Sequence, residues 1–232
     1  MNGALNGIVE PKSKHPAIPY VAPFLAFIAF LAIEKLVPGS PEVLYSLRFI
    51  VVSAVLLAVS SKVIPFRPSY LLGSIAMGVA VFLIWIGPDL LWPGYRSHWL
   101  FTNLVTGKAE SSLPASAQSN LVFILIRVAG ATLLVPILEE LFWRGWLMRW
   151  LISKNFLTVP LGRYSTEAFW LTAVLFASEH GPYWEVGLAA GILYNWWIMR
   201  TGNLADCILA HSVTNACLCA YVLQMGHWQY WL

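Results

Sequence analysis

Residues 118–152 read QSNLVFILIRVAGATLLVPILEELFWRGWLMRWLI. This is a near-continuous apolar run, longer than the roughly 20 residues a bilayer-spanning helix needs. Such a helix must tilt, break at Pro136, or project beyond the membrane. Outward from it lie other apolar runs separated by Pro, Gly and charged breaks. Upstream, spans are expected at 18–37, closed by Pro38-Gly39-Ser40-Pro41, at 43–63 and at 70–91; downstream, at 166–180, 183–200 and 203–226. None alternates apolar and polar residues as barrel strands would. The expected fold is an all-α, polytopic integral membrane helical bundle of about seven to eight transmembrane helices. Residues 1–17 would be an N-terminal cytoplasmic tail and 18–232 a single membrane domain.

Composition agrees. Of 232 residues 59% are hydrophobic and 11% charged, against about 25% charged in a soluble domain. The net charge of +3 comes from scattered Lys and Arg, mostly at helix ends, so no basic patch points to nucleic acid. Cys207, Cys217 and Cys219 share one apolar run, and neither a disulfide framework nor a zinc ribbon has that spacing. They read as small buried apolar residues. The N-terminus is not a cleavable signal, because its polar start runs into a segment too long for a signal core. In the connection 92–116, Trp92, Tyr95, Trp99 and Phe101 suit a membrane interface.

With seven crossings and the N-terminus in the cytoplasm, the cytoplasmic side carries Lys12, Lys14, Lys62, Arg67, Arg144, Arg149, Lys154, Arg163 and Arg200. The far side carries Lys35, Arg96 and Lys108. Nine against three favours this orientation, since Lys and Arg accumulate in cytoplasmic loops. Arg48 and Arg127 fall within spans, where each could snorkel or pair with a carboxylate.

Charged side chains inside apolar helices cost about 2.5–3.5 kcal/mol each on insertion scales and so call for a reason. Three groups concentrate in the last hundred residues. In Glu139-Glu140-Leu141-Phe142-Trp143-Arg144, Glu140 and Arg144 are one helical turn apart in the favoured order for a pair. Glu139 points about 100° away. Arg144 is expected to hold Glu140, leaving Glu139 facing the bundle centre, while Pro136 frees a backbone carbonyl. The bland alternative is a set of interfacial charges at a span end. Phe176-Ala177-Ser178-Glu179-His180 closes a helix before Gly181-Pro182. There His180 is a base, a ligand or a capping residue, and Glu179 faces solvent or pairs locally. His211-Ser212-Val213-Thr214-Asn215 puts an imidazole and a carboxamide on one face in mid-span, where both must find partners. Asp206 could cap the start of its own helix.

A carboxylate and an imidazole can deprotonate water, and a second imidazole and a carboxamide can donate to an oxyanion. The same residues could bind zinc, with Glu139, His180 and His211 as ligands, although no His-Glu-x-x-His occurs. A serine or cysteine nucleophile is disfavoured. There is no Gly-x-Ser-x-Gly, and Ser178 and Ser212 lie too close in sequence to the neighbouring His to face it.

The motifs Glu-Glu-x-x-x-Arg at 139–144, Phe-x-x-x-His at 176–180 and His-x-x-x-Asn at 211–215 resemble those of the CAAX protease and bacteriocin-processing family. That family includes the type II CAAX prenyl endopeptidases. The resemblance covers residues 118–226. It implies a glutamate-dependent intramembrane endopeptidase in which Glu139 is the general base and His180 helps it activate water. His211 and Asn215 would form the oxyanion site, with Glu140 and Arg144 in support. No cofactor is required in this reading, and zinc is the alternative. The tract from Gly181-Pro182-Tyr183-Trp184 to His211 resembles a bacterial, CAAX-protease-related branch found with exosortase-type sorting systems. That implies a bacterial inner (cell) membrane and a substrate that need not be prenylated. Expected partners are membrane lipids and a protein or peptide substrate, C-terminally processed or lipidated among the options, with no nucleic acid. The competing readings are a non-catalytic immunity or scaffold protein of the same fold and a proton-coupled transporter, the latter disfavoured because no internal repeat is present. The active cavity is expected among the last four helices, open on the side that carries 139–144.

Overall fold

A computed structural model describes residues 15–111 and 113–231. Most of the N-terminal tail, with Lys12 and Lys14, lies outside the described residues. The described chain is all-α: α1 (Ile18–Glu34), α2 (Pro41–Ser60), α3 (Leu71–Leu91), α4 (Leu121–Trp150), α5 (Thr166–Ser178), α6 (Trp184–Thr201) and α7 (Leu204–Met225). A one-turn helix, Ala115–Gln118, precedes α4. The helix starts follow local chemistry. Ser40 accepts from Val43 N–H ahead of Pro41, Asn120 from Phe123 N–H, and Asn203 from Ala205 N–H, each satisfying a donor that has no intrahelical partner. Gly202, at φ 61°, ends α6 in a left-handed turn that feeds directly into Asn203, the cap of α7.

Helices α2, α3, α4 and α7 are long and apolar enough to cross a bilayer, whereas α1 and α5 are shorter apolar helices. With 13 residues, α5 rises about 20 Å, less than the crossing expected from 166–180. Large apolar side chains such as Leu57, Leu72, Leu83, Leu121 and Leu133 point outward, as a lipid-facing surface requires. The chain is therefore a helical membrane bundle. Helix α7 packs against α3, α6 and α4, α5 pairs with α6, and α1 pairs with α2. Phe24 of α1 stacks on Phe142 of α4 with ring centres 4.0 Å apart.

Pro136 does not break α4. The helix absorbs it by widening into a π-helical turn at Gly130–Leu134, and a second π segment follows at Leu141–Leu147. Between them, Val135–Glu140 keeps α geometry. Single π turns inside α-helices recur at functional sites.

Each end of the bundle is tied by polar contacts. At the end where α1, α3, α5 and α7 begin, Asp206 does not cap its own helix. Its buried carboxylate accepts from Ser69 N–H (3.2 Å), Tyr70 N–H (2.9 Å) and Ser74 Oγ (3.1 Å), capping α3 across the bundle. Asn203 Nδ2 adds bonds to Arg67 O and Ser69 Oγ. At the opposite end, Arg96 donates to Asp89 (3.0 Å), Glu185 (2.6 Å) and the Pro182 carbonyl, and the Tyr230 hydroxyl also donates to Asp89. The arginine in α2 has a partner as well: Arg48 donates to Glu34 at 2.8 Å and lies over the Tyr45 ring. The three cysteines are free thiols, with Cys207 and Cys219 buried.

Removing the Asp206 carboxylate leaves two N–H groups and the Ser74 hydroxyl proton without that acceptor, while Ser74 Oγ still accepts from Trp197 Nε1. Hydrogen bonds to charged groups contribute about 1.5–3 kcal/mol each. Asp206→Ala should lower the detergent-solubilised protein's melting temperature clearly, and Asp206→Asn less so; thermal unfolding followed by circular dichroism checks this.

Candidate active site

The second glutamate of the pair is locked in place. Arg144 Nη1 donates to Glu140 Oε1 at 3.0 Å, and His211 Nδ1 approaches the same oxygen at 3.0 Å. Both side chains of the ion pair are fully buried. The rest of the guanidinium is satisfied too: Nε donates to Asn195 Oδ1 (2.9 Å) and Nη2 to the Gly191 carbonyl (3.2 Å), while the group lies over the Phe176 and Tyr194 rings. Asn195 in turn donates through Nδ2 to the Phe169 carbonyl. A buried charge pair is tolerable only with such geometry and additional bonds.

Glu139 is placed differently. It lies on the wall of a cavity of about 610 Å³; its Oε2, like Glu140 Oε2, has no hydrogen-bond partner among the described residues, so the cavity position is what sets the two apart. His180, Glu179, His211 and Asn215 line the same cavity, and Glu140 does not. The three sequence motifs, on α4, the α5 end and α7, thus meet around one space.

Each remaining group is oriented by its second hydrogen bond. His180 Nδ1 is 2.8 Å from the Phe176 carbonyl. A carbonyl only accepts, so Nδ1 carries the proton and Nε2 has the lone pair when the ring is neutral. Gly187 lets this ring in: a Cβ there would stand 3.0 Å from both Cγ and Nδ1 of His180. Trp85 meets the His180 ring edge-on at 5.2 Å. His211 is sandwiched in the same manner, with Glu140 on Nδ1 and the Tyr194 ring stacked on its face at 5.1 Å. Asn215 Nδ2 donates to the Ala131 carbonyl at 2.8 Å. In the π turn Val135 N–H bonds five residues back to Gly130 O; the next donor in that register would be residue 136, and proline has none. Pro136 therefore frees the Ala131 carbonyl, which Asn215 occupies with one of its two N–H bonds, leaving the other for a ligand.

Among the described residues no group of three His, Cys, Asp or Glu is arranged to hold a metal ion. Glu139, His180 and His211, the residues suggested as zinc ligands, line one cavity.

The cavity mouth corrects the sequence expectation. The walls run from Glu139 past Val135, Ala131 and Arg127, that is, toward the start of α4. At the rim are Thr106, Gly107, Lys108 and Glu110 of the connection after α3, with Tyr230 and Trp231 beyond α7. The cavity opens away from the Arg144–Arg163 end. Periodicity gives the face of a helix and not the end at which neighbouring helices splay. Asn195, Tyr194, Trp85 and Gly187 also escaped the sequence reading. An asparagine in the apolar run 183–200 was the available signal, because a carboxamide there must find a partner.

Residues 120–217 match a protein-family model described as type II CAAX prenyl endopeptidase Rce1-like. The match falls on the stretch that carries the three motifs and agrees with the family they resemble. No curated protein and no solved structure matches the chain.

Breaking a buried pair by removing one partner costs about 3–5 kcal/mol. Arg144→Ala should therefore destabilise the bundle more than any single alanine on the cavity wall. Arg144→Lys should recover only part, because a point ammonium cannot bond Glu140, Asn195 and Gly191 together. Melting temperatures of the purified variants decide this.

Proposed function

We propose that this chain, with an Rce1-like segment over residues 120–217, is an intramembrane endopeptidase that hydrolyses a peptide bond by activating water with Glu139 and His180. The observation that carries the reading is the division between the two glutamates. Glu140 is consumed by Arg144 and His211, while Glu139 turns to the cavity shared with His180, His211 and Asn215. The membrane domain 18–232 supplies the frame, and 118–226 the chemistry.

A water molecule has two hydrogens, and the site offers two acceptors for them, the Glu139 carboxylate and His180 Nε2. Held this way, the water oxygen turns a lone pair toward the substrate carbonyl. Glu139 takes the proton as the carbon–oxygen bond forms. The negative charge that develops on the carbonyl oxygen meets the second N–H of Asn215 and the His211 ring, which Glu140 holds through Nδ1. Collapse of the tetrahedral species breaks the C–N bond, and the proton on Glu139 passes to the leaving amine. No covalent intermediate and no cofactor is needed. Neither the identity of the substrate nor its lipidation enters this reaction.

Replacing Glu139 by glutamine removes the base, and general-base catalysis contributes about 10²–10⁴-fold. Glu140→Gln keeps an oxygen that still accepts from Arg144 and His211. Cleavage of a peptide library by protein purified in detergent, read by mass spectrometry, should therefore fall by about a thousandfold in Glu139→Gln and distinctly less in Glu140→Gln. Equal losses would remove the assigned division of roles.

A further inference from the structure

The Lys and Arg distribution and the direction of the cavity combine into a conclusion that neither gives alone. The described polar ties bring the chain ends of alternate helices together. Residues 67–70 meet 203–206 at one end, and Arg96 meets Asp89 and Glu185 at the other. Lys62, Arg67, Arg149, Lys154, Arg163 and Arg200 belong by sequence position to the first end, with Lys12 and Lys14 preceding α1 on that side of the sequence. Only Lys35, Arg96 and Lys108 belong to the second. Arg48, Arg127 and Arg144 lie inside helices and are left out of both sums. Among the described residues six stand against three, in short connections or helix-end turns, and Lys12 and Lys14 add to the six by sequence position; this asymmetry sets orientation, and the cation-rich end stays in the cytoplasm.

The cavity opens at the cation-poor end. Its rim carries Thr106, Gly107, Lys108, Glu110, Tyr230 and Trp231, and no residue between 140 and 175 lines it. We infer that the site faces the extracytoplasmic side, so that its substrate is a peptide segment exposed there, on a protein already carried across the membrane or anchored with that segment outside. The connection over residues 92–111 is then an external cover over the mouth. It is held down by the Arg96 network and by Trp184 Nε1 donating to the Leu100 carbonyl. The orientation stands independently of the proposed chemistry; only the word substrate rests on it.

The test uses single cysteines at two exposed cations, Lys108→Cys at the rim and Arg163→Cys at the opposite end. Each variant loses one charge from one end only, and the same end stays cation-rich in both. Intact bacterial cells expressing each full-length variant are treated with a membrane-impermeant maleimide, and the labelling of wild type, with its three native cysteines, is subtracted. Lys108→Cys should label at least about tenfold more than Arg163→Cys before lysis, as expected for a chain with one orientation, and both should label alike after lysis. Labelling of Arg163→Cys alone from outside would overturn the inference, and so would equal labelling of both from outside. A second arm adds library peptides to right-side-out and inside-out vesicles. Cleavage only in the former supports the inference, and cleavage only in the latter overturns it. Outward-facing Lys108 with no cleavage in either vesicle type counts against the peptidase reading and leaves the orientation standing.

Discussion

Everything at the centre of this bundle leans on one buried ion pair. A guanidinium and a carboxylate buried between helices are costly unless paired and hydrogen-bonded, and here only Glu140 Oε2 of the pair lacks a partner among the described residues. Here the demand organises the neighbours: Asn195 and the Gly191 carbonyl take the other faces of Arg144, Phe176 and Tyr194 cover its plane, and His211 shares the Glu140 oxygen. Three helices are thereby fixed to α4 at one level. The same contacts aim the groups that line the cavity. His211 is oriented by Glu140, and Phe176, which covers Arg144, also supplies the carbonyl that sets the His180 tautomer. The structural polar contacts and the cavity-facing His180 and His211 thus share partners.

The backbone of α4 makes the second contribution. Two π segments flank a short α stretch holding Glu139 and Glu140. The first accommodates Pro136 and releases the Ala131 carbonyl, and Asn215 on α7 reaches across to it. A local defect in one helix thus becomes an interhelical bond that positions a carboxamide at the cavity wall.

Much of this was legible in the sequence, and for definite reasons. The apolar runs and their Pro, Gly and Asn punctuation mark the helices. The spacing of Glu140 and Arg144 gives their contact, because one helical turn separates them whatever the tertiary fold. The proline announces a freed carbonyl without saying which residue takes it. What was not legible depends on contacts between residues distant in sequence. Glu140 holding His211, Asn195 holding Arg144 and Asp206 capping α3 rather than α7 all cross the bundle. The mouth of the cavity belongs to this class. It depends on how the connection after α3 and the residues beyond α7 settle over the ends of other helices, and no periodicity encodes that.

The central claim is that a carboxylate without a metal drives hydrolysis in this cavity. Its most direct test is library cleavage by the purified protein in the presence of a strong chelator, with wild type beside Glu139→Ala. Cleavage by wild type that persists with the chelator and vanishes in Glu139→Ala is the expected result. Cleavage retained in Glu139→Ala, or lost with the chelator and restored by zinc, would contradict it.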